Sequence, residues 1–204
     1  MKNRLKHLLF ATALLSIATG AAHAQNGKPD AEGFVRNWLM LAPIPLGESA
    51  AADVIGQDTI DKESALKPKE GDKIKVKDKE FVWKKIQSKD FNFDFNELLD
   101  QSYENVVGYM VTYLVCDKEL TGLTLLIGSN DEGRVYLNGK EVFKSTDGRT
   151  LEKDSDKVEK VTLNKGVNTI VFKVVNETNN WQGCLRFTNK DGKPVTDFAV
   201  KLAP

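Results

Sequence analysis

From Phe34 onward the apolar positions either alternate with polar ones or run together in short stretches bounded by Gly, Pro, Asn and Asp. That is the pattern of strands rather than of helices. An apolar strand, Phe34 to Pro45 around Trp38, is predicted to close on Pro43 and Pro45, because proline cannot donate to a ladder. Residues 46–62 are small and mildly polar and fit a short helix. Lys73-Ile-Lys-Val-Lys77 alternates as an edge strand with a wet lysine face, and the acids Glu70, Asp72, Asp78 and Glu80 among the lysines argue against a polyanion strip. Phe81–Ile86 reads as a further strand, and Phe91, Phe93 and Phe95 alternate with their rings on one face. Glu97–Glu104 reads as a helical turn or a loop.

The remainder reads as strand throughout. Val106–Cys116 is rich in β-branched and aromatic residues, and Leu120–Gly128 follows. Arg134–Leu137 and Lys140–Phe143 flank Asn138-Gly139, which predicts a type I′ hairpin with positive φ at both central residues. Glu159–Leu163 and Val167–Val175 flank Asn164-Lys165-Gly166. Trp181–Thr188 and Asp197–Leu202 close the chain across the turn cluster Asn189–Pro194. Many short strands at even spacing predict an all-β sandwich or jelly roll. No internal repeat or low-complexity linker divides it, so one domain is expected over 34–204, behind a flexible leader at 25–33.

The N-terminus changes the picture. Lys2, Arg4 and Lys6 precede an apolar run from Leu8 to Ala18 and the small-residue site Ala22-His23-Ala24. That order predicts a signal peptide over 1–24, its apolar core too short to span a bilayer. The expected location is therefore periplasmic or secreted, with no membrane span after cleavage. Basic and acidic residues number 29 each, and three of the basic ones leave with the signal. A slightly acidic domain lacks the basic surface that nucleic acid demands. Export permits a disulfide, and for Cys116 and Cys184 a bridge and two buried thiols both fit.

One stretch is similar to a known pattern. Gly128-Ser129-Asn130-Asp131-Glu132-Gly133-Arg134-Val135-Tyr136-Leu137-Asn138-Gly139-Lys140 resembles the "G-S-D-D-G-x-x-V-x-L-N-G-K" signature of galactose-binding-domain-like β-sandwiches. These are jelly-roll modules of the kind attached to bacterial glycoside hydrolases. Trp38–Pro45 resembles the opening "W-L-x-L-G-P-F-P", Val107–Tyr109 the "V-A-Y" strand, and Leu163–Val174 the "L-x-K-G-x-N-x-L-L-x-K-V" hairpin. Trp181 and Arg186-Phe187 match the closing strand. The chain departs at Ala42, which replaces a glycine, and at Asn130 and Glu132 in the acidic loop. The resemblance implies an all-β, galactose-binding-like jelly-roll fold and a module that binds sugars, docks on another protein or supports a catalytic neighbour.

Catalysis finds little footing in the residues. There is no Gly-x-Ser-x-Gly, no phosphate-binding glycine loop and no histidine after His23 to serve as a general base. The same lack argues against a zinc site. The expected function is a non-catalytic one, binding carbohydrate or polysaccharide, the alternative being a protein-interaction or structural accessory of an envelope protein. An exposed aromatic ring stacks on a pyranose, and Trp181 is the candidate platform, against the reading in which it starts a strand and caps the core, as large aromatics commonly do. Asn179, Asn180 and Gln182 would supply amides, with Asp131 and Arg186 as further partners. Trp38 and Trp83 are expected in the core. The loop Ser129–Gly133 reads first as a turn in which Gly133 takes positive φ; its hard oxygens would also suit sugar hydroxyls or a structural Ca²⁺, though one loop supplies few ligands for such an ion. The second polar loop, with Asp147, Asp154 and Asp156, lacks an EF-hand pattern and reads as solvated.

Overall fold

The computed structural model describes residues 27–204, so the signal peptide expected over 1–24 lies outside the described residues. The chain is all-β. Its strands are β1 (Asn37–Pro45), β2 (Lys73–Val76), β3 (Lys79–Val82), β4 (Lys84–Gln87), β5 (Phe93–Asp94), β6 (Val106–Cys116) and β7 (Leu120–Asn130). They continue with β8 (Gly133–Leu137), β9 (Lys140–Ser145), β10 (Asp156–Leu163), β11 (Gly166–Asn176), β12 (Gln182–Thr188) and β13 (Ala199–Lys201). Two short helices, α1 (Ala51–Gly56) and α2 (Phe95–Leu99), and a 3₁₀ turn at Glu63–Ala65 complete the elements.

Seven strands form one antiparallel sheet in the order β4-β1-β6-β11-β8-β9, with β13 added on β6. A second sheet runs β10-β7-β12-β5. The inner faces share one apolar core. It includes Trp38 and Met40 of β1, Met110 and Leu114 of β6, Phe172 of β11, and Leu125, Ile127, Leu185 and Phe187 of the smaller sheet. Among the described residues no helix is long and apolar enough to cross a membrane.

The large sheet is also buried on its outer face. Residues 46–83 fold back over it as a third layer, made of α1, the 3₁₀ turn and the β2–β3 hairpin. Beneath it lie Leu39, Leu41, Val107, Tyr109, Val111, Tyr113, Tyr136 and Val171. Burial on both faces explains why β6 reads as a continuous apolar run instead of alternating. The lysine-rich strand pairs only with β3, while Ile74 and Val76 turn into this outer core.

Local departures from the expected pattern have plain causes. The strand β1 closes at Pro45 as expected but runs through Pro43; the register against β6 shifts between Leu41 and Ile44, and the bulge accommodates Pro43. The segment Phe81–Ile86 splits at buried Trp83, because β3 pairs with β2 whereas β4 pairs with β1. Phe91-Phe93-Phe95 is not one strand. Asp94 caps α2 by accepting from the Glu97 N–H at 3.1 Å, which turns the chain after two paired residues. Phe93 and Phe95 enter the core, and Phe91 packs on Phe34 outside it. The leader is held down from Gly27, whose N–H and carbonyl both pair with Val200 at 2.9 Å. Asp30 Oδ1 then accepts from the N–H groups of Glu32 and Phe34. The β8–β9 turn is as predicted, with φ of 52° at Asn138 and 82° at Gly139. Cys116 and Cys184 are both buried and free.

Candidate functional site: the loop end of the sandwich

Register brings three loops to one end of the sandwich. Gln182 pairs with Asn130, Val174 with Gly133, and Asn176 with Val106. The β7–β8 connection, the segment between β9 and β10, and the β11–β12 loop therefore converge. Asp131 Oδ2 accepts from the Glu177 N–H at 3.0 Å, and the Glu132 carbonyl accepts from the Val175 N–H at 3.0 Å. Arg149 donates to Ser129 Oγ at 3.0 Å and to Asp156 Oδ2 at 2.6 Å, which anchors the long loop. Asn176 Nδ2 donates to the Tyr103 carbonyl, and Asn96 Nδ2 to the Asn179 carbonyl.

Gly133 does not supply a positive φ. Its role is close approach: a Cβ there would stand 2.7 Å from Ser129 Oγ.

The loop end concentrates unmet polar chemistry. Among the described residues five buried side-chain polar atoms have no hydrogen-bond partner, and four of them are here: Asn130 Oδ1, Glu132 Oε2, Asn176 Oδ1 and Arg149 Nε. Buried polar atoms are paired in the great majority of cases, and this grouping sets the loop end apart among the described residues. Glu132 is 2 % exposed. Burial, and then the neighbouring charges of Glu177, Asp131 and Asp147, push its carboxyl up to about 7. Asp147, Glu177, Asn179 and Asn180 are exposed around it.

The oxygens are hard donors, yet among the described residues no three carboxylate, histidine or cysteine side chains converge as metal ligands. The acids ring the loop end without meeting at one point. The residues present do not form a Ca²⁺ cage, which needs six to eight oxygens around one centre.

The expected site residues divide. Asp131, Asn179 and Asn180 stand at this end. Gln182 lies beside it, its amide donating to Asp94 Oδ2 at 2.7 Å. Arg186 is elsewhere. On the outer face of the smaller sheet it makes a fork to Asp154, donates to the Glu32 carbonyl at 3.0 Å and lies over the Phe34 ring. Trp181 is a correction. Its ring is fully buried, stacks on Phe95 with centroids 4.1 Å apart, and donates to the Val174 carbonyl at 3.1 Å. Gly108 clears the space it fills, since a Cβ there would lie 2.7 Å from the indole. No face of that ring is left for a sugar. Asn130 and Glu132 were legible only as turn residues and Asn176 and Glu177 not at all as a site, because their grouping arises from register.

No known protein family and no curated protein matches the chain. Several solved structures are similar to it, two of them as follows. One is a glycosyl hydrolase family 2 member from Bacteroides cellulosilyticus DSM 14838, at 13 % identity and a TM-score of 0.42, covering 78 % of this chain and 21 % of that one. The other is the GH31 alpha-xylosidase from Xanthomonas citri, at 8 % identity and a TM-score of 0.34, covering 87 % and 19 %. The chain thus spans about a fifth of the length of each.

Proposed function

We propose that this chain is an exported, non-catalytic carbohydrate-binding module with a galactose-binding-like jelly-roll fold, contacting polysaccharide through the loop end. The observation that carries the reading is the gathering of unpartnered, buried polar atoms from three loops beneath exposed Asp147, Glu177, Asn179 and Asn180. Vicinal sugar hydroxyls both donate and accept, and carboxylates and amides meet them in pairs. The motif around Ser129–Gly133 supports the same assignment, since it sits in the loop that supplies Asp131. With Trp181 in the core, recognition rests on hydrogen bonds rather than on ring stacking. Such groups exchange water for hydroxyl at small net gain, so binding is weak per site and favours a repeating polymer.

Affinity electrophoresis and a glycan array on the purified chain test this, with Asp131→Ala and an Asn179→Ala/Asn180→Ala double variant alongside. Retention by a glycan that both variants lose is the expected result. Failure of every glycan to bind, or variants that bind as well as the parent, would overturn it. Chelation is expected to leave binding unchanged.

A further inference from the structure

The outer face of the large sheet carries a second polar cluster, independent of the loop end. Arg134 of β8, Lys173 of β11 and Tyr109 of β6 are paired in register across three adjacent strands. Directly opposed residues share a face, and Tyr136 lies two residues beyond Arg134 on that same face. All four direct donors at one carboxylate. Glu63 Oε2 accepts from Tyr109 O–H at 2.5 Å and from Lys173 Nζ at 3.0 Å. Glu63 Oε1 accepts from Tyr136 O–H at 2.8 Å and from Arg134 Nη1 at 3.4 Å.

The carboxylate comes from the covering layer, not from the sheet. So do the other acceptors of Lys173, the carbonyls of Val54 at 2.7 Å and Gln57 at 2.6 Å. Arg134 has a partner of its own on β9, Glu141 at 2.6 Å. The sheet side therefore presents two hydroxyls, a guanidinium and an otherwise unneutralised ammonium. That set accepts one monoanion, and the acceptor plane it encloses suits a carboxylate.

Stability alone does not account for the arrangement. Glu63 and Lys173 are both fully buried, and a buried ion pair is commonly no better than apolar residues of like volume. Two clefts open beside the covering layer, though neither is lined by Glu63 or its four donors. A cleft of about 350 Å³ is lined by Ser64–Lys67, Asn138 and Val167, and another of about 190 Å³ by Leu46, Val54, Gln57 and Thr59.

We propose that this face is a binding site for a small carboxylate, and that the chain fills it with Glu63 as an internal ligand, so that residues 46–66 form a strap latched by that side chain. Removal of the internal ligand then creates a receptor for a free one. The strap is tethered at both ends, which gives Glu63 a large effective concentration and keeps the native site saturated.

The test is thermal unfolding of Glu63→Ala in the full chain, in sodium formate or acetate against sodium chloride of equal ionic strength. The variant is expected to melt well below the parent and to gain about 5 °C or more from the carboxylate over chloride. The parent and a Glu63→Ala/Lys173→Met double variant should show no such difference. If Glu63→Ala is unfolded in chloride, formate-induced folding followed by circular dichroism is the same readout. No response of Glu63→Ala to carboxylate beyond chloride, or an equal response of the double variant, overturns the proposal.

Discussion

Replacing Glu132 by glutamine isolates the electrostatic cost stored at the loop end. The carboxyl is buried, its Oε2 is unpartnered, and its folded pKa rises from 4.5 to about 7. Below pH 4.5 both folded and unfolded chains hold the proton, and the group contributes nothing. Between 4.5 and 7 the folded chain keeps a proton that the unfolded chain has released, so stability falls as pH rises. The slope approaches about 1.4 kcal/mol per pH unit, and the loss levels off above pH 7 at about 3 kcal/mol. Glutamine has the same shape and no charge to bury. The stability of Glu132→Gln relative to the parent should therefore change little near pH 4.5 and grow by about 3 kcal/mol by pH 8. For a chain of this length that is a differential shift of about 8 °C in melting temperature. Urea titrations of both proteins across pH 4.5 to 8 measure it directly, because every other titrating group is common to the pair. A difference that stays constant over that range would refute the reasoning. Calcium in the buffer should leave both curves in place, as expected where the acids do not converge.

Trp181→Ala removes a fully buried indole stacked on Phe95 and should destabilise by about 3–5 kcal/mol in chemical denaturation; a loss below about 1 kcal/mol would contradict its place in the core. Lys173→Met alone strands a buried Glu63 and should cost about 3–5 kcal/mol. Adding Glu63→Gln to it should recover much of that loss, and strict additivity of the two changes would argue against the pairing. Burial pushes the Cys184 thiol up to about 11 and raises that of Cys116 as well. A thiol reagent should accordingly find no fast-reacting group in the native chain and two after denaturation, with no change in mass under reduction.

Most strands were legible because each carries its own signal; the split at Trp83 and the turn at Asp94 were not, since pairing partners and a cap set them. The β8–β9 hairpin follows from Asn138-Gly139, whose φ values only such residues adopt without strain, and β11 from the β-branched run after Gly166. Even the double burial of β6 left a trace, in an apolar run too continuous for a sheet wet on one side. Nothing comparable marked Trp181. An aromatic residue beside a polar loop looks the same whether its ring points in or out, and only Gly108 and Phe95, far away in the chain, decide that it points in. Glu63 is the extreme case. In sequence it is one acid among many in a polar stretch, and it gains a role only when residues 46–83 fold over Arg134, Tyr136, Tyr109 and Lys173. By itself the sequence determined the elements, since backbone preference and side-chain alternation act between near neighbours. The tertiary structure decided which polar groups meet, because burial and electrostatic coupling depend on distance in space, which register and the packing of layers alone set.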